Sequence, residues 1–254
     1  MSDKLLSERQ DGVLTLTLNR PDRLNAIDID MLDMLVSALD EGGKDDEIGA
    51  IVLKGAGRVF CAGADIGQMI DRTPADWQDI VDHYLDPIRL ISTIEKPIIA
   101  RCHGDVIGGG LGLSLACDFR VGAEGSRYCT PFVNLGLAGC DMSSGYFLPR
   151  LIGMGRATDM MMTARFVDAK EAFETGLLSR LVSEDELDGT VMSLAKNFAS
   201  GPARALAFTK SAIRRSMDND ITGEFDYEIF AQVQCLQSEV HRERVAAFFE
   251  KRGG

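Results

Sequence analysis

Two short apolar runs constrain this chain more than any other feature. Ala50-Ile51-Val52-Leu53 and Pro97-Ile98-Ile99-Ala100 are bounded by Gly or Pro and lack polar alternation, as strands covered on both faces do. Asp118 to Val121 reads as a further strand. Val13-Leu14-Thr15-Leu16-Thr17-Leu18 alternates apolar with hydroxyl residues, which predicts a strand with one buried face. Arg20 to Asn25 then forms a turn. Met31, Leu32, Leu35, Val36 and Leu39 recur at helical spacing, and Gly42-Gly43 is expected to end that helix. Strands and helices in alternation give an α/β body.

Beyond about residue 150 the pattern becomes helical. Asp168 and Glu171 make a capping-box pattern for a helix that Gly176 can close. Asp185 to Ala199, Pro202 to about Ser216 and Gly223 to about Glu250 are rich in helix formers. No Pro/Ser-rich linker interrupts the chain. The expected organisation is one functional unit, with a core over 1–195 and a helical C-terminal region over 196–254.

Charge and cysteine usage narrow the partners. With 27 Lys+Arg against 39 Asp+Glu the formal charge is −12, which repels nucleic acid and anionic membranes at long range. Any anionic ligand must be met by a local cluster of cations. No apolar run approaches the ~20 residues of a membrane span, and MSDKLLSERQDG lacks a signal-peptide core, so a cytoplasmic location is expected. The six cysteines form no CxxC pair and have no matching histidine spacing with His83, His103 and His241. Neither a metal site nor disulfides are expected.

Glycine is dense at Gly55-Ala56-Gly57 through Gly63-Ala64-Asp65, and again at Gly104 through Gly108-Gly109-Gly110-Leu111-Gly112. Neither cluster fits a P-loop or a dinucleotide fingerprint. The second opens a helix-like segment, whose first amides are unpaired and suited to a developing oxyanion, although taken by itself the cluster reads first as close backbone packing. Gly112-Leu113-Ser114-Leu115-Ala116 lacks the last glycine of a nucleophile elbow, so Ser114 reads as a buried hydroxyl bonded to a carbonyl.

Val59-Phe60-Cys61-Ala62-Gly63-Ala64-Asp65-Ile66, and Lys96-Pro97 through His103-Gly104 to Gly108-Gly109-Gly110, resemble the enoyl-CoA hydratase/isomerase family, the crotonase superfamily. The resemblance extends from Leu18-Asn19-Arg20-Pro21 through Phe147-Leu148-Pro149-Arg150 and Thr175-Gly176-Leu177 to Ala246-Ala247-Phe248-Phe249. It implies a spiral of ββα repeats with C-terminal helices that assemble a homotrimer or hexamer. It also implies acyl-CoA substrates, with coenzyme A entering as part of the substrate and no separate cofactor. The family's oxyanion hole would fall on the amides of Ala62 and Gly109. Its CoA contacts would fall on Arg23, Leu24, Ala64, Asp65, Ile66, Phe248 and Lys251.

Hydratases of this family carry two glutamates, and the sequence departs from both. Gly112 and Phe132 occupy those positions. The remaining candidate is Asp141, in a glycine-rich, apolar neighbourhood suited to proton transfer. An aspartate nine residues before Arg150 is similar to the acid/base of the ring-1,2-epoxyphenylacetyl-CoA isomerases and to the nucleophile of the chlorobenzoyl-CoA dehalogenases. The alternative is an aspartate that caps the next helix. The expected activity is that of an enoyl-CoA hydratase/isomerase with Asp141 as single acid/base. Isomerase, dehalogenase or hydrolase, and non-catalytic acyl-CoA binder stand as alternatives. Trp77, Tyr84 and Phe132 are candidate linings of the acyl pocket, and Thr73-Pro74 suggests a mobile loop there.

Overall fold

The computed structural model describes residues 3–68 and 73–250. An antiparallel hairpin opens the chain, β1 (Leu5–Gln10) against β2 (Val13–Leu18). All six residues of β2 are buried, including both threonines, so the strand is covered on both faces and not on one. Leu14, Leu16 and Leu18 enter the larger of two cores and Val13 the smaller.

Helix α1 (Ile29–Lys44) starts at Asp28, whose carboxylate accepts the Met31 amide at 2.9 Å. It continues through Gly42-Gly43 where a stop was expected. A Cβ on Gly42 would lie 2.3 Å from Leu14 Cδ2, so this glycine is where helix meets sheet. The close approach, and no chain reversal, accounts for it.

The chain then winds through β3 (Ala50–Gly55), α2 (Pro74–Tyr84), α3 (Asp86–Thr93), β4 (Ile98–Cys102), β5 (Asp105–Ile107), α4 (Gly109–Ala116), β6 (Phe119–Ala123) and β7 (Arg127–Cys129). Next come α5 (Ser144–Ile152), α6 (Met154–Thr163), β8 (Val167–Asp168), α7 (Ala169–Glu174) and β9 (Arg180–Val182). The main sheet has the order β1-β2-β3-β4-β6-β9, and every pair after the first hairpin is parallel. A smaller sheet, β5-β7-β8, takes the short second strands of successive turns. This is the expected ββα spiral, with α/β layers throughout.

Four helices complete the described chain: α8 (Glu184–Ala199), α9 (Ala203–Arg215), α10 (Ile221–Leu236) and α11 (Glu239–Glu250). Helix α8 packs Leu187, Val191, Leu194 and Ala195 into the smaller core, so a boundary at 195/196 falls inside it. Lys210 and Arg214 pin α9 to the buried end of α4, reaching Asp118 at 2.7 and 2.9 Å. The single helix expected from Gly223 to Glu250 is two, because the Ser238 hydroxyl accepts the His241 amide and restarts the helix. Among the described residues no helix is long and apolar enough to cross a membrane.

Candidate active site

Three neighbouring turns of the spiral end side by side, and that geometry assembles the site. Cys61 bridges Val106 in β5, and Ile107 pairs with Cys129 in β7. The Ile107 amide donates to the Cys61 carbonyl and the Gly108 amide to that of Cys129, both at 2.9 Å. The segments that follow, 62–66, 108–112 and 130–132, therefore leave the sheet together. Gly110 permits the fit, since a Cβ there would stand 2.6 Å from both Cys61 Cβ and its carbonyl oxygen. The Cys61 thiol is fully buried, donates to the Asn25 carbonyl, and is pushed up to about 12 by burial, so it is no nucleophile at neutral pH.

The Ala62 amide is already committed, donating to the Leu24 carbonyl at 3.0 Å. The donor facing Gly109 belongs to Ala64 instead. Its nitrogen lies 3.5 Å from where a Cβ on Gly109 would stand. Ile27 explains the orientation, since its amide donates to Gly63 and its carbonyl accepts from Asp65, at 2.8 and 2.9 Å. In such a parallel bridge Ala64 turns its own amide to the opposite side. Gly109 is the first residue of α4, where the amide has no intrahelical acceptor. Neither the Ala64 nor the Gly109 amide donates to a protein carbonyl among the described residues.

Asn25 and Arg20 hold the first of these segments. The buried Asn25 side chain donates to the carbonyls of Ala56, Val59 and Phe60 and accepts the Arg20 amide. Arg20 reaches Asp65 at 3.0 Å and Asp28 at 3.4 Å. Burial works to raise Asp28, but the Lys4 ammonium, the Met31 amide and Arg20 overcome it and hold its carboxyl below the usual range. Arg23 and Leu24 share this turn, Arg23 exposed and Leu24 half-buried, beside Ala64, Asp65 and the exposed Ile66. Phe248 sits half-exposed on α11, edge-to-face with Phe249 at 5.7 Å. Lys251 lies outside the described residues.

The opposite wall comes from the segment before α5. Asp141 is half-buried; one carboxylate oxygen accepts the Met142 amide at 2.8 Å, and the other has no partner among the described residues. Met142 and Ser143 both adopt left-handed backbone, with φ of 50° and 60°. Two consecutive non-glycine residues there store strain, as Leu24 and Asn25 do at φ of 54° and 55°. The Met142 methyl lies 3.6 Å from the Cβ position of Gly109, and its backbone carbonyl would stand 2.6 Å from a Cβ on Gly112. Thus the space beside Gly112 is filled by Met142. Phe132 is buried with its ring 3.7 Å from the Cβ position of Gly108. Beside them the fully buried Ser144 hydroxyl has no hydrogen-bond partner among the described residues.

Other sequence candidates fall elsewhere. Ser114 is buried and donates to the Leu111 carbonyl at 2.8 Å. Tyr84 belongs to the core and gives its hydroxyl to the Ile27 carbonyl. Trp77 is half-buried on α2. Thr73-Pro74 forms the capped start of α2 through a Thr73/Asp76 capping box, not a loop, and residues 69–72 of the expected mobile stretch lie outside the described residues. Sequence reasoning missed Ile27, Met142 and the role of Tyr84. A cavity of about 1060 Å³ between α3, α5 and α9 touches Ser143 but none of Ala64, Gly109, Phe132 or Asp141.

The family model described as enoyl-CoA hydratase/isomerase matches residues 8–254. The chain belongs to the enoyl-CoA hydratase/isomerase family. Among relatives in this family, the short-chain-enoyl-CoA hydratase of Clostridium acetobutylicum is 32% identical, over 98% of this chain and 96% of its own. The 1,2-epoxyphenylacetyl-CoA isomerase of Escherichia coli is 34% identical, over 99% and 97%. The 4-chlorobenzoyl coenzyme A dehalogenase-2 of an Arthrobacter species is 33% identical, over 96% and 90%. In structure, an enoyl-CoA hydratase from Mycobacterium smegmatis superposes with a TM-score of 0.93 at 30% identity, over 98% of this chain and 97% of that one. Family membership thus embraces several chemistries.

Proposed function

We propose that this protein transforms acyl-CoA thioesters by polarising the thioester carbonyl between the amides of Ala64 and Gly109, with Asp141 as the single acid/base. The observation that carries the reading is the pair of uncommitted amides at the join of two spiral turns. Donors fixed in place before the substrate arrives stabilise the enolate oxygen as it forms, which acidifies the α-carbon. Asp141, with one free carboxylate oxygen, removes a proton and returns it along the same enolate. Double-bond isomerisation suits this arrangement best, because Met142 and Phe132 put apolar atoms where a water-activating carboxylate pair would stand.

Hydration is the second reading, favoured by the likeness to the Clostridium acetobutylicum enzyme. The dehalogenase alternative requires Asp141 to attack as a nucleophile, with aromatic and imidazole help near the leaving group; Val133 and Leu85 offer neither. Arg23, Leu24, Ala64, Asp65 and Ile66 are the proposed contacts for coenzyme A, joined by Phe248 and Lys251 of the C-terminal region. The stripe Ile221, Phe225, Ile229 and Val233 exposes one apolar face of α10, which supports a homotrimer or hexamer. Light scattering is expected to give one of those masses, and a monomer contradicts that assembly.

Product mass spectrometry with crotonyl-CoA and with a 3-enoyl-CoA tests the reaction. An unchanged mass with a moved double bond supports isomerisation. A gain of one water from crotonyl-CoA makes the protein a hydratase working without the glutamate pair. Binding of both substrates without product contradicts catalysis on simple enoyl chains and favours the binder.

A further inference from the structure

We propose that Tyr84 is a positioning residue for the Ala64 amide, acting through Ile27; the inference rests on reading Ala64 and Gly109 as the carbonyl-polarising pair. Ile27 sets the direction of the Ala64 amide, because it grips the residues on either side, Gly63 through its amide and Asp65 through its carbonyl. That same carbonyl accepts a second hydrogen bond, from the Tyr84 hydroxyl at 2.8 Å. Both of its lone pairs are therefore used, one by the segment that carries Ala64 and one by a fixed strut from α2.

The strut is stiff at its far end as well. The Tyr84 ring is buried in the main core, and its neighbour His83 is clamped between Asp33 of α1 and Asp86 of α3, at 2.8 and 2.9 Å. Burial pushes the phenol up to about 12, so the group remains a donor throughout the working pH range. Without the hydroxyl, the Ile27 carbonyl is free to follow Asp65, and the Ala64 amide loses its fixed aim. A donor held in place before the reaction contributes only while it points at the oxyanion position, so misalignment penalises the transition state more than the bound substrate.

Tyr84→Phe tests this with a cinnamoyl-CoA bearing a para-dimethylamino group, whose absorption moves to the red as the thioester oxygen is polarised. The wild type is expected to shift the band on binding. Tyr84→Phe is expected to lose at least half of that shift and to lower kcat about tenfold, with KM within twofold. Amide exchange of residues 61–66 is expected to accelerate while that of 119–123 stays unchanged. A full red shift with kcat within twofold of wild type overturns the strut, as does equal acceleration of exchange in both segments, the sign of general destabilisation. A wild type that binds the probe without any shift overturns the polarising pair itself, a result separate from failure of the strut.

Discussion

The two walls of the site are built on opposite principles. The wall that carries Ala64 and Gly109 is backbone locked by cross-turn hydrogen bonds, with Asn25, Arg20 and Ile27 each holding several groups at once. The wall that carries Asp141 follows an exposed stretch, residues 133–138, and bends through two left-handed residues before α5 begins. Backbone donors depend on strand pairing that the whole spiral shares, so they tolerate little change. A loop attached at its ends can exchange one chemistry for another, which fits a family whose relatives include hydratase, isomerase and dehalogenase names. In the proposed function the rigid wall supplies polarisation and the Asp141 wall selects the reaction; left-handed backbone is common to both, since Leu24 and Asn25 carry it on the first wall at φ of 54° and 55°.

Placing a carboxylate at position 112 tests that division most severely. Gly112→Glu places a side chain against the Met142 Cβ and carbonyl, so it is expected to destabilise the fold by about 3 kcal/mol. No gain in water addition is expected, since the added group cannot occupy the space Met142 fills. Denaturant unfolding and the crotonyl-CoA assay read the two outcomes; a stable variant with new hydratase activity would show that the Asp141 wall yields easily.

Relaxing the strain has a smaller effect of the opposite sign. Ser143→Gly removes the left-handed penalty at φ 60° and is expected to stabilise by about 1 kcal/mol, roughly 2–4 °C in Tm for a chain of this size. Turnover is expected to fall severalfold as the Asp141 turn loosens, the usual exchange of function for stability. A higher Tm with unchanged kcat means the strain does not serve the reaction.

The smallest effect concerns the far end of the rigid wall. The hydrogen bond with Asp86, then that with Asp33, raises the His83 pKa above its ordinary 6.5 despite burial. A raised folded-state value stabilises fully below about pH 6.5 and is lost as pH climbs through the higher value. His83 is partly exposed, so the contribution is below about 1 kcal/mol. Melting curves of wild type and His83→Gln are expected to differ at pH 6 and converge by pH 9.

Much of the spiral was legible because its central strands are nearly pure apolar runs, and β3, β4 and β6 fall where the sequence put them, within a few residues. β1 was not legible, since five of its six residues are exposed and its pairing depends on the turn at Asp11-Gly12. The glycines of α1 misled, because a close approach to Leu14 leaves the same sequence mark as a helix end. In the site, Gly109 and Asp141 stood out in the sequence. The choice between Ala62 and Ala64 did not, because what separates two alanines two residues apart is the hydrogen bond from Ala62 to Leu24 and the bridge from Ile27 to Ala64, both long-range contacts. Tyr84 and Ile27 lie 57 residues apart in sequence, and no local pattern announces a contact of that range.

Asp141→Asn is the most direct test of the account. With whichever enoyl-CoA the wild type converts, the variant is expected to lose about 10³-fold in kcat, within the usual worth of a positioned acid/base, while KM and the probe's red shift stay near wild type. Full turnover by the variant contradicts the assignment of Asp141 as the single acid/base.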